Sequence, residues 1–98
     1  MSIQKDPERN ESRILRKFVD VAGKRVLEIG CGEGRLTWQY AKRTAQTIAT
    51  DIDADSLRVA KVDRPYDLEN TVHFACADSQ YLPFSKETFD IAILAWSL

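Results

Sequence analysis

The chain has 98 residues, 44% of them hydrophobic and 30% charged, and a formal net charge of −1. That balance is globular and excludes a disordered tail, while dispersed lysines and arginines leave no basic field for nucleic acid or an anionic membrane surface. No stretch has the length and apolarity of a bilayer span, and residues 1–10 are polar with no signal core, so one small cytoplasmic domain over residues 1–98 is expected.

Asp6-Pro7-Glu8 offers a cap, a preset first helical residue and an acid in the first turn. Ile14, Leu15, Phe18, Val19 and Ala22 then recur at helical spacing, so a first helix is expected to end near Gly23 and to pack on a sheet.

Residues 25–29 read as the first strand, and they run into Gly30-Cys31-Gly32-Glu33-Gly34. Glycine at every second position removes side chains from one side of the turn, so a small polar ligand can lie against bare backbone beside the amides that open the next helix. The dinucleotide fingerprint places its third glycine where Arg35 stands, which disfavours a nicotinamide cofactor.

Leu36, Tyr40 and Ala41 mark one face of a second helix over 34–44, and Trp38, off that stripe, reads as packing rather than as a pocket wall. A second strand over 47–52 is followed by Asp53, which can cap a third helix through residue 62, and Pro65 closes that segment. A third strand is expected over 71–75. A fourth, over 89–96, has the unalternating run Ile91-Ala92-Ile93-Leu94-Ala95-Trp96, which calls for cover on both faces.

Strands alternating with helices imply an α/β fold, a Rossmann-like three-layer sandwich with a mainly parallel sheet. Ligands of such sheets sit beyond the carboxyl ends of the strands, where the glycine turn, Asp51, Asp78 and Trp96 would converge. Asp51, about twenty residues after Gly30, stands where a carboxylate can accept from both hydroxyls of a ribose. Cys31 and Cys76 form no CxxC, and His73 is the single histidine, so no metal set is expected and both thiols read as free. His73 reads as a surface residue, and Asp90 as an exposed strand-start acid rather than a catalyst.

Glu28-Ile29-Gly30-Cys31-Gly32-Glu33-Gly34, Ala49-Thr50-Asp51-Ile52-Asp53, Ala77-Asp78-Ser79 with Leu82-Pro83-Phe84, and Phe89-Asp90-Ile91-Ala92 together resemble the class I S-adenosylmethionine-dependent methyltransferases, in particular the small-molecule type related to quinone biosynthesis. The resemblance implies S-adenosyl-L-methionine as cofactor and a small-molecule methyl acceptor. It implies that Glu28 holds the methionyl ammonium, and that Gly30, Cys31, Gly32 and Gly34 lie under the methionyl and ribose parts. Asp51 would take the ribose hydroxyls, Ile52 would pack on adenine, Asp78 would accept from its amine, and the Ser79 amide would meet a ring nitrogen. Asp78 has a plainer reading as the cap of the turn before Tyr81. Competing readings of the whole are a nucleoside-binding module without turnover and a nucleotide-linked oxidoreductase.

Members of that family continue beyond a fourth strand, so the chain is expected to be the N-terminal, cofactor-binding portion of a longer domain. A fourth strand left at the sheet edge would expose unpaired backbone, and self-association through it is expected.

Overall fold

The computed structural model describes residues 2–6 and 20–95. Their strands are β1 (Ser2–Asp6), β2 (Arg25–Ile29), β3 (Gln46–Asp51), β4 (Val72–Cys76) and β5 (Ile91–Ala95), joined in one sheet of order β1-β5-β2-β3-β4. All four pairings are parallel. Parallel neighbours require crossovers, and between β2 and β4 these carry the helices α1 (Thr37–Tyr40) and α2 (Ala54–Asp63).

Register places Ile93, Glu28, Ala49 and Phe74 side by side across the sheet, and Ala92, Leu27, Ile48 and His73 side by side in the adjacent row. Successive side chains on a strand point to opposite faces, so these rows belong to different layers. On the first face Val26, Ile91, Ile93 and Ala95 pack against Leu36, Tyr40 and Ala41, and Leu57 of α2 packs against Ala49 and Cys31. On the second face Leu27 and Ala92 pack against Leu82, Phe84 and Phe89, the two phenyl rings meeting edge to face at 5.3 Å. The apolar run of the last strand is thus divided between two covered faces, as its composition requires. Full burial of an aliphatic side chain such as Ile93 contributes about 2 kcal/mol.

The four expected strands lie within a residue or two of β2, β3, β4 and β5, and α2 begins as expected. Asp53 Oδ1 accepts from the Asp55 amide at 3.0 Å, and Ser56 Oγ donates to Oδ2 at 3.0 Å, closing the first turn of that helix.

Two expectations change. The helix expected over 34–44 is limited to Thr37–Tyr40, followed by a 3-10 turn at Ala41–Arg43. Gly34 has a φ of 93°, and Leu36 at the cap position makes no side-chain hydrogen bond, so nothing starts the helix earlier. At the other end of the sheet, β5 is not an edge. β1 runs along it from Ser2↔Ile91 to Asp6↔Ala95, satisfying its open side and removing the reason for self-association through that strand. Asp6 therefore sits in a strand rather than opening a helix; residues 7–19 of the first expected helix lie outside the described residues, and residues 20–23, where it was expected to end, are not helical. Trp96 also lies outside them. Among the described residues no helix is long and apolar enough to cross a membrane.

Candidate functional site

Because the strands are parallel, the carboxyl ends of β2, β3 and β4 open on one side, and backbone hydrogen bonds draw them together there. The Gly30 and Cys31 amides both donate to the Thr50 carbonyl, at 2.8 and 2.9 Å, folding the glycine turn back onto β3. Gly30, Gly32 and Gly34 all have positive φ, at 83°, 57° and 93°, which side chains resist. On the neighbouring strand the Ala77 amide donates to the Asp51 carbonyl at 3.0 Å, setting Asp78 and Ser79 beside Asp51 and Ile52.

Asp51 is the centre of this arrangement. Its Oδ2 accepts from the Gly32 amide at 2.8 Å and its Oδ1 from the Asp53 amide at 2.9 Å. Two amides aim the carboxylate without exhausting it, since each oxygen has a second lone pair. Ile52 next to it is 68% exposed, an aliphatic surface open at the mouth of the crevice.

The glycines divide their work differently from the sequence reading. The Gly30, Cys31 and Gly32 amides are engaged by Thr50 and Asp51, so they offer no free cradle, and the four residues of α1 provide no anion-binding helix start. Gly34 is buried, and a Cβ there would collide with the Trp38 ring. Its lack of a side chain serves packing. Trp38 is half-buried and meets Phe74 edge to face at 6.1 Å, in keeping with its reading as a packing residue.

Glu28 is fully buried in the apolar row between Ile93 and Ala49. Thr37 Oγ1 and Tyr40 OH each donate to its Oε1 at 2.7 Å. A carboxyl group in low dielectric needs such partners, and α1 supplies both from positions three apart on one face. The Glu28 carboxyl group therefore lies within the core rather than in the open crevice. Burial, reinforced by the Glu28 charge, pushes the Tyr40 phenol well above its ordinary range. Burial, with Glu28 and Asp51 adding to it, likewise pushes up the Cys31 thiol, which is buried in the turn. Thr37 and Tyr40 escaped the sequence reading because Tyr40 counts as apolar in a helical stripe; the available signal was an acid inside an apolar strand with two hydroxyls in the next helix.

Asp78 is half-buried. Its Oδ1 accepts from the Gln80 amide at 2.9 Å and its carbonyl from the Tyr81 amide at 2.9 Å, so it does cap the turn before Tyr81 while standing beside the crevice. Ser79 is exposed. Asp90 lies elsewhere, bound by Arg25 through the backbone amide at 2.9 Å, Nε at 3.3 Å and Nη2 at 3.2 Å. That clamp joins the starts of β2 and β5 and is structural. His73 is exposed on the edge strand. Among the described residues no group of three His, Cys, Asp or Glu could hold a metal.

A parallel sheet whose glycine turn and acidic strand end meet over one crevice defines a Rossmann-like α/β domain. The family described as a methyltransferase domain matches residues 26–98, and the chain belongs to that family. A ubiquinone/menaquinone biosynthesis C-methyltransferase from Cellvibrio japonicus is 38% identical over 81 residues, covering 78% of this chain and 32% of that protein. A methyltransferase from Streptomyces halstedii, GfsG, is 32% identical over 85 residues, covering 85% of this chain and 31% of that protein. The crystal structure of an S-adenosylmethionine-dependent methyltransferase from Mesorhizobium loti superposes with a TM-score of 0.72 at 21% identity, over 87% of this chain and 38% of that one, a likeness of fold. The chain spans about a third of the length of the curated relatives it matches.

Proposed function

We propose that this chain is the cofactor-binding part of a methyltransferase that transfers a methyl group from S-adenosyl-L-methionine to a small-molecule acceptor, in the cytoplasm, where thiols such as Cys31 and Cys76 stay reduced. The observation that carries this reading is the Asp51 carboxylate, pinned by the Gly32 and Asp53 amides with acceptor capacity to spare, beside the exposed Ile52 side chain. A ribose diol needs paired acceptors and an adenine face needs apolar cover, and these neighbours supply both.

In that role Asp51 takes the two ribose hydroxyls and Ile52 covers one face of the base. Asp78 accepts from the exocyclic amine through the lone pairs that the Gln80 amide leaves, and the exposed Ser79 amide meets a ring nitrogen. Gly30, Cys31 and Gly32 keep the floor free of bulky side chains. Glu28 contributes negative charge from below the methionyl end, held in orientation by Thr37 and Tyr40. The cofactor supplies an already activated methyl group, so the protein's share is alignment and exclusion of water; no acid–base pair is required of these residues.

Calorimetry with S-adenosylmethionine and its demethylated product tests the reading. Saturable heat that Asp51→Ala abolishes is the expected result, and no heat, or heat indifferent to that substitution, overturns it. Methyl transfer by the full-length protein separates an enzyme from a module that only binds.

A further inference from the structure

A second concavity lies away from this crevice, between α2 and the outer side of β4, and encloses about 350 Å³. None of Asp51, Ile52, Asp78 or Ser79 lines it. Its floor is apolar, made by Leu57 and Phe74. Its walls are cationic: Arg58, Lys61 and Arg64 follow one another at three-residue steps along α2 and its cap, and no carboxylate lines the cavity. Such a concentration is unexpected in a chain whose net charge is −1, where lysines and arginines are otherwise dispersed.

The cations differ in how they are held. Arg64 is fixed, with Nη1 donating to the Val72 carbonyl at 2.8 Å and its guanidinium carbon 5.8 Å from the centre of the Phe74 ring. Its buried Nε finds no acceptor among the described residues, so this wall carries a donor in excess. Arg58 pairs only with Asp55, its exposed helix neighbour, and Lys61 has no ion-pair partner among the described residues. Because Arg64 already occupies the Val72 carbonyl on the free edge of β4, an added peptide strand is obstructed there, whereas a compact ligand is not.

We propose that this cavity binds an organic phosphate, with its apolar body on Leu57 and Phe74 and its phosphate between Arg58 and Lys61, beside Arg64. A phosphate monoester carries the charge that several cations require, and guanidinium and ammonium groups are its ordinary partners. The volume falls within the range of small-molecule sites. The site is independent of the methyl-donor crevice, so either assignment can fail without the other.

The 98-residue chain is titrated with phenyl phosphate while the backbone amide proton resonances of residues 57–64 are followed, with phenol, inorganic phosphate and benzoate as parallel arms. Phenyl phosphate is expected to give a saturable shift with a midpoint of about 1 mM or below, phenol none, and the other two clearly weaker ones. The double variant Arg58→Gln, Lys61→Gln is expected to weaken binding at least about tenfold while its circular dichroism and unfolding midpoint stay those of the parent, which shows that the fold is intact. The proposal is overturned if the shift does not saturate, if inorganic phosphate or benzoate matches phenyl phosphate, or if the double variant binds as the parent does.

Discussion

The Gly32 amide donates to Asp51 Oδ2 at 2.8 Å, and this hydrogen bond ties the glycine turn to the end of β3 across 19 residues of sequence. The turn and the acid are two halves of one device: the glycine lets the backbone come close, and the carboxylate both fixes the backbone and is aimed by it. Asp51→Asn keeps the shape but offers one oxygen in place of two. The expected loss in S-adenosylmethionine affinity is about 10- to 100-fold, the worth of one or two hydrogen bonds to a charged group, read by calorimetry.

Gly34→Ala tests the packing role of the third glycine. The φ of 93° disfavours any side chain, and the new methyl would meet the Trp38 ring. Destabilisation of about 1–3 kcal/mol is expected in denaturant unfolding. In a Trp38→Leu background the same substitution should be less damaging, because the collision is gone and only the backbone strain is left.

Tyr40→Phe removes one of two hydroxyls from Glu28 Oε1 inside the core. About 1–3 kcal/mol of stability should be lost, more than a surface Tyr→Phe change at Tyr66 produces. In the parent chain, ultraviolet titration should show one of the three tyrosines retaining its proton far above the ordinary range until the fold gives way.

The clamp between Arg25 and Asp90 gives stability an acid limb. Side-chain and backbone hydrogen bonds from Arg25 hold the Asp90 carboxyl down from 3.8 to about 2. A depressed carboxyl contributes stability that is fully present above its unfolded value and is lost as pH falls toward the folded one. Resistance to thermal unfolding should therefore fall between about pH 4 and pH 2, and Asp90→Asn should flatten that limb while lowering stability at neutral pH. An unchanged acid profile in the variant would remove Asp90 from the account.

The two thiols should separate by reactivity. Cys31 is buried and its thiol is pushed up by burial and two nearby carboxylates, whereas Cys76 is exposed. A disulfide reagent should modify one cysteine rapidly in the folded chain and both only after denaturation.

The strands were readable because a parallel interior strand is an apolar run bounded by turn residues, and Val26 to Ile29 or Ile91 to Ala95 can be little else. Asp53 announced α2 through the chemistry of its cap. β1 was not readable: Ser2-Ile3-Gln4-Lys5-Asp6 has no apolar pattern, and its strand conformation comes from pairing with β5, a contact 89 residues away in the register Ser2↔Ile91. The length of α1 was overestimated because Leu36, Tyr40 and Ala41 give the right period whether or not the first turn is capped. In the candidate site, the positions of Asp51, Ile52 and Asp78 followed from strand ends, while the burial of Glu28 and the internal use of the turn amides depend on partners that spacing does not reveal.

The pairing of β2 with β5 joins Arg25 to Asp90 across 65 residues, in the middle of the sheet. During synthesis β2, β3 and β4 leave the ribosome well before β5, so the nascent sheet must wait with one side of β2 bare and Leu27 uncovered. Closing so long a loop is slow compared with local helix formation, and the interval is when chaperones or misassembly compete for the chain. Slow maturation, more than thermodynamic weakness, is then the hazard that this topology brings to expression of the domain.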